Sequence, residues 1–225
     1  MPSIAIVGAG PQLGLAIART FGSQGFDVAL ISRNRTKLYG LVGRLTAEGV
    51  TAAAFPADVL DHGTLTQALE SAATHFGGID VLEYSPAESP GSTVVTTPAE
   101  TDPSHVQHEL DFQFYGASTA TRSVLPAMRE TGAGTLLYTT DARSTGPVPK
   151  AANVSTAAAA LRNWAVNLHK ELAGTGVQAA HVALDVTIGT STFYGQPKAT
   201  ADQLSPLYWE LHTTDRDKAE RIFRG

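Results

Sequence analysis

Four apolar residues, Ile4-Ala5-Ile6-Val7, run directly into the turn Gly8-Ala9-Gly10-Pro11-Gln12-Leu13-Gly14. The stretch that follows carries Leu13, Ala16, Ile17 and Phe21 on one side, the pattern of an amphipathic helix. A wholly apolar strand fits a parallel sheet covered on both faces. Glycines at the end of such a strand let a pyrophosphate approach the backbone and meet a helix N-terminus. Strand, glycine-rich turn and helix in this order confine the chain to an α/β fold with a nucleotide site at its first turn.

The rest of the chain repeats the alternation. Further strands are expected over 26–31, 51–55, 79–83, 135–139 and 177–184. Between them lie helical patterns with Leu38, Leu41, Val42 and Leu45, then Leu65, Ala68, Leu69 and Ala72. A long helix over 103–129, another over 153–173 and a helical stretch near 202–212 complete the reading. Right-handed crossovers then give a Rossmann-like doubly wound parallel sheet, order 3-2-1-4-5-6, with helices on both faces. No repeat or change of composition divides it, so residues 1–225 are expected to form a single domain. A seventh strand is expected to be missing. Segments 85–103 and 189–206 are the expected substrate loops, because long loops in compact domains usually cover a site.

Bulk properties narrow the function. Apolar residues make up 43% and charged residues 16%, a globular balance. The net charge of −5, with no long basic run, gives no electrostatic footprint for nucleic acid. No run of roughly 18 apolar residues marks a bilayer span. The first strand starts close to the N-terminus, which leaves no room for a signal peptide, so a cytoplasmic location is expected. There is no cysteine, which excludes disulfides, thiolate catalysis and cysteine-ligated metal. His105 and His108 stand three residues apart beside Glu109, a spacing that also fits an exposed helix face, and no metal is assigned to them.

Around the first turn, Gly8, Gly10, Gln12, Leu13 and Gly14 are the candidate phosphate-binding residues. Ser32, Arg33 and Asn34 follow the second strand, where an adenosine ribose would lie. An acidic residue there favours a free 2′-hydroxyl, whereas Arg accommodates a 2′-phosphate. NADP(H) is therefore expected over NAD(H), if a dinucleotide binds at all. Asp58 ends the third strand and can bond an adenine amino group or simply cap a turn. Ser85, Pro86 and Ala87, after the fourth strand, close the set with Val59. Glu83 is a carboxylate in a central parallel strand. It must find a partner or shift its pKa upward, which makes it a candidate site residue.

Over residues 3–190 the chain resembles the short-chain dehydrogenase/reductase family. The resemblance is carried by the first turn, Ser32-Arg33-Asn34, Asp58-Val59, Leu125-Pro126-Ala127-Met128, Ala159-Ala160-Leu161 and Lys170-Glu171-Leu172. It implies NAD(P)(H)-linked carbonyl reduction or alcohol oxidation, with Tyr as acid/base, Lys lowering its pKa, Ser polarising the carbonyl and Asn in a proton relay. It also implies homo-oligomers formed through the long helices. The departures are specific. Gln12 replaces a turn glycine, and Tyr84-Ser85-Pro86-Ala87 replaces Asn-Asn-Ala-Gly. Gln113 stands at the Asn and Thr140 at the Ser. Val154 and Ala158 occupy the positions of the Tyr and the Lys. No small shift restores that pair: the nearest Lys is Lys150, and no Tyr lies between Tyr138 and Tyr194.

Substitute groups lie nearby. Thr140, Tyr138, Asp141 and Gln113 are the candidate catalytic residues, although Tyr138 also reads as a strand side chain under a helix and Asp141 as a turn residue. Three functions stay open: an NADP(H)-linked oxidoreductase on a carbonyl or alcohol substrate with its acid/base group relocated; a silent module that binds NADP(H) or a partner; and a non-redox isomerase, dehydratase or cyclase. Thr93, Val94, Val95, Phe193 and Tyr194 suggest a partly apolar small-molecule ligand.

Overall fold

The computed structural model describes residues 1–87, 94–189 and 197–225. Its centre is a parallel sheet built from β1 (Ser3–Val7), β2 (Asp27–Ile31), β3 (Ala52–Ala54), β4 (Val81–Tyr84), β5 (Gly134–Asp141), β6 (Val177–Asp185) and an edge strand, β9 (Glu220–Arg224). The order is β3-β2-β1-β4-β5-β6-β9. β1 is buried along its whole length, as are β2 and β4, which is why their sequences read as apolar runs.

Two apolar layers cover the sheet. α1 (Leu13–Gly22), α2 (Arg35–Ala47) and α7 (Ala201–Thr213) pack on one face, through Leu15, Phe21, Leu38, Leu45, Leu204 and Tyr208. α3 (His62–Phe76), α5 (Gly116–Thr131) and α6 (Ala152–Glu171) pack on the other, through Leu65, Leu69, Ala117, Val124, Leu161 and Ala165. Local chemistry sets the ends. Asp61 accepts the Thr64 amide at 3.0 Å to start α3, and Gly77 closes it at φ +83°. A small pair, β7 (Thr187–Ile188) with β8 (Lys198–Ala199), leads into α7, which opens with a Thr200–Gln203 capping box.

The expected long helix is present but is not uniform. α4 (Pro103–Leu110) passes through a π turn at Asp111–Tyr115 before α5 begins at Gly116. It is tied to β4: the buried Tyr84 hydroxyl donates to the Phe112 carbonyl within this turn at 2.6 Å. A Cβ at position 116 would fall 2.1 Å from that same hydroxyl, so only glycine fits there.

One expectation is overturned. A seventh strand exists: β9 pairs in parallel with β6, with Glu220 opposite His181. Its sequence, Glu-Arg-Ile-Phe-Arg, is short and charged because it is an edge. It is held by ion pairs as well as by its ladder. Glu220 accepts from the Arg162 guanidinium and lies 3.0 Å from His181 Nδ1.

Candidate functional site

A cleft of about 770 Å³ opens at the carboxyl ends of the strands, where strand order reverses between β1 and β4. Gly8, Ala9, Gly10, Pro11, Gln12, Leu13 and Gly14 form one wall. Gly8 has φ +97°, and a Cβ there would lie 2.5 Å from the Pro86 backbone. Gly14 packs against Ala9, where a Cβ would sit at 3.0 Å from Ala9 Cα. Gly10 meets nothing closer than 3.8 Å, so its missing side chain leaves free space over the turn. α1 starts at Leu13, beside that space, and its first amides have no side-chain cap.

Gln12 extends across the mouth. Its side chain rests on Gly189, where a Cβ would come within 2.3 Å of Gln12 Nε2. The amide thus links the start of α1 to the chain leaving β7, and Ile188 joins the lining beside it.

The second wall holds Ser32, Arg33, Asn34 and Lys37. Asn34 is committed to structure: its side chain accepts the Lys37 amide at 2.9 Å and caps α2. Arg33 is exposed, and among the described residues neither it nor Lys37 has an ion-pair partner. Two such cations in the lining of one cleft suit a phosphate. Lys37 was not among the sequence candidates; its position four residues after Arg33 was the available signal.

The floor is made by Ala57, Val59, Ser85, Pro86, Ala87 and Phe112. Asp58, between Ala57 and Val59, accepts the Leu60 amide at Oδ1 at 3.0 Å and acts as a turn cap. Ser85 hydrogen-bonds through its amide to the Val7 carbonyl at 2.9 Å, and its hydroxyl donates to Glu83 Oε2 at 2.9 Å. Glu83 is fully buried and its other oxygen accepts from Thr139 Oγ1 at 3.0 Å. Burial lifts its carboxyl to about 8, against the smaller opposing pull of the Ser85 and Thr139 hydroxyls.

None of the four catalytic candidates is among the residues that line this cleft. Tyr138 lies in the core rather than at the cleft, a correction to the sequence reading. Its hydroxyl is 2.6 Å from Thr121 Oγ1, its ring meets Trp164, and burial raises its pKa. Strand parity decides this, because the side chain projects into the layer of α5 and α6. Thr140 is buried too, with Oγ1 at 2.9 Å from His181 Nε2 and 2.8 Å from Ser144 Oγ. His181 is buried, and burial lowers its pKa to about 4 despite the adjacent Glu220. Asp141 caps the 3-10 turn Ala142–Ser144 through the Arg143 amide at 2.9 Å and forms an ion pair with the Arg143 guanidinium. Gln113, on the π turn, donates to Glu109 Oε2 at 2.9 Å. Val154 is 5% exposed and Ala158 1%, so the positions aligned with Tyr and Lys are apolar and packed.

Val94 and Val95 are exposed, and Asn153 fixes the segment they begin by donating to the Val94 carbonyl and accepting the Thr96 amide. Thr93, Phe193 and Tyr194 lie outside the described residues. His105 closes a capping box with Asp102 at the start of α4. No described helix is long and apolar enough to cross a membrane.

Comparison with known proteins agrees with this architecture. The L-sorbose reductase of Gluconobacter frateurii, solved with NADPH and L-sorbose, superposes with a TM-score of 0.87 at 19% identity, covering 100% of this chain and 95% of that one. An actinorhodin polyketide ketoreductase solved with NADPH gives 0.85 at 19% identity over 98% and 94%. A short chain dehydrogenase of Pseudocercospora fijiensis is 27% identical over 172 residues, and the ketoacyl reductase HetN of Nostoc sp. 28% over 175. These matches cover 76% and 78% of this chain, but only 55% and 60% of those two proteins. The short chain dehydrogenase family model matches residues 2–197, and the chain belongs to that family.

Proposed function

We propose that the protein is an NADP(H)-dependent oxidoreductase acting on a carbonyl or alcohol substrate, with its acid/base group placed elsewhere than in the usual Tyr-Lys pair. The observation that carries this reading is the cleft itself. Gly8 and Gly10 keep side chains out of its turn, the first amides of α1 have no side-chain cap beside it, and Arg33 and Lys37 in its lining have no ion-pair partner among the described residues. The residues present therefore fit a nicotinamide dinucleotide carrying a 2′-phosphate. Such a group, when bound, supplies hydride transfer.

The chain's own residues divide the remaining work. The turn and the α1 amides hold the pyrophosphate, and Arg33 with Lys37 holds the 2′-phosphate. Gln12 and Ile188 close the side from which a substrate would enter. Structural neighbours solved with NADPH or with NAD support a nicotinamide dinucleotide in this cleft, and Arg33 with Lys37 supports the phosphorylated form. The test is binding by Arg33→Ala and Lys37→Ala variants. A charge-assisted contact contributes about 1.5–3 kcal/mol, so each loss is expected to weaken NADPH by roughly 10- to 100-fold and NADH far less. Equal weakening of both cofactors would remove the 2′-phosphate assignment.

A second reading is favoured by Val154 and Ala158. Packed apolar side chains at these two places give neither a proton nor a positive field, which suits a module that binds NADP(H) without turning over. NADPH consumption against a panel of aldehydes and ketones separates the two. Homo-oligomerisation through α5 and α6 belongs to the same proposal, and sedimentation tests it.

A further inference from the structure

The cleft has one connection to the interior that its binding role does not use. Ser85 lines the cleft, and its hydroxyl is bonded to the carboxyl of Glu83, which is fully buried. The link runs beside the phosphate turn. Gly8 is packed so tightly on the Ser85–Pro86 peptide that a Cβ would lie 2.6 Å from the Ser85 carbonyl carbon.

The surroundings of this carboxyl hold no compensating charge among the described residues. In the ladder β1 places Ile6 beside it and β5 places Leu137. From β5 comes also the Thr139 hydroxyl, at 3.0 Å from Oε1. From α7 comes Tyr208, whose hydroxyl is 2.9 Å from Thr139 Oγ1 and is kept neutral by burial, its pKa raised well above the ordinary value. The turn after β4 contributes Ser85. No Arg, Lys or His has an ion pair or hydrogen bond with Glu83 among the described residues.

We propose that Glu83 must hold its proton for the anionic dinucleotide to bind, so that the cleft takes up cofactor and proton together. An ionised carboxylate in this dry interior, one hydroxyl away from the cleft, would repel the pyrophosphate through a medium that screens poorly. A protonated carboxyl removes the repulsion and leaves Ser85 held in place. The proton is drawn from solvent and no bond to the cofactor forms. The inference rests on the reading of the cleft as a dinucleotide site. Burial sets the free protein's titration near 8, so the coupling acts from neutral to mildly alkaline pH.

The experiment is calorimetric titration of the whole protein with NADPH from pH 6 to about pH 9.5, in pairs of buffers that differ in ionisation enthalpy. The expected result is a Kd independent of pH on the acid side. It weakens above the titration point with a slope approaching about tenfold per pH unit. Proton uptake should rise toward one per NADPH bound over the same range. Glu83→Gln, neutral at every pH, is expected to lose both the slope and the uptake while keeping every other cleft group. Ser85→Ala, which leaves the carboxyl in place but removes a hydrogen bond that lowers its pKa, gives a second reading should the Gln variant fold poorly; it is expected to keep the slope and move its onset to higher pH. Binding with no proton uptake, or with the same pH profile in Glu83→Gln as in the unmodified protein, would overturn the coupling and leave the dinucleotide site standing. No NADPH binding at any pH would overturn the dinucleotide site, and the coupling with it.

Discussion

Replacing Glu83 by Gln should change how the stability of this fold depends on pH, with a sign fixed by the burial of the carboxyl. In the native protein Glu83 keeps its proton up to about pH 8, whereas the unfolded chain releases it near the ordinary carboxyl value of 4.5. Between those values the unfolded state binds fewer protons than the native state, so stability falls as pH rises. The slope is roughly 1.4 kcal/mol per pH unit, and over the interval the loss is about 5 kcal/mol. That is comparable to the whole stability of a marginal domain. Gln presents the same outline without the titration, so the variant should lack this component. Urea unfolding of both proteins at several values from pH 5 to 9 gives the difference in ΔG directly, and other titrating groups cancel in it. The Gln variant should gain on the unmodified protein steadily until about pH 8, after which the gap stays constant. A difference that does not vary with pH would refute the reasoning, as would one that shrinks as pH rises.

Three further outcomes follow from the same geometry. His181 has a folded pKa lowered to about 4 from 6.5. Its neutral form therefore stabilises above pH 6.5, and about 3 kcal/mol is lost as pH falls from there toward 4, a component that His181→Gln should remove in acid unfolding curves. Gly116→Ala drives a methyl into the Tyr84 hydroxyl and should cost roughly 1–3 kcal/mol in thermal or urea melts. Tyr84→Phe should relieve most of that penalty in a double-mutant cycle, and an additive result would mean that the clash does not set the glycine. Gln12→Gly clears the side chain from Gly189 and should tighten NADPH binding with little change in melting temperature; weaker binding would show that the amide holds the cofactor instead of covering it.

The legible parts of the structure were those written in consecutive residues. Ile4 to Gly14 spells strand, turn and helix, and the structure places the glycines as the spacing requires. The apolar runs of β2 and β4 marked strands buried on both faces for the same reason, and their alternation with helices led to the sheet order. What sequence reading missed depends on groups far apart in the chain. The π turn at Asp111–Tyr115 is bonded to Tyr84 from another strand. β9 is charged and only five residues long, and its partner His181 becomes visible as one only when the register with Glu220 is known. Tyr138 and Thr140 were candidates by proximity in sequence, but the pleat turns both into the helix layer. Lys37 joins Arg33 only through the first turn of α2.

The proposed role of the cleft is to hold a dinucleotide bearing a 2′-phosphate. Calorimetric titration of the purified protein at neutral pH, with NADPH and then NADH, tests it most directly. Micromolar NADPH binding with clear preference over NADH is the predicted result. Absence of binding by either at millimolar concentration would contradict the claim, and would mean that Gln12 and Pro86 close the site.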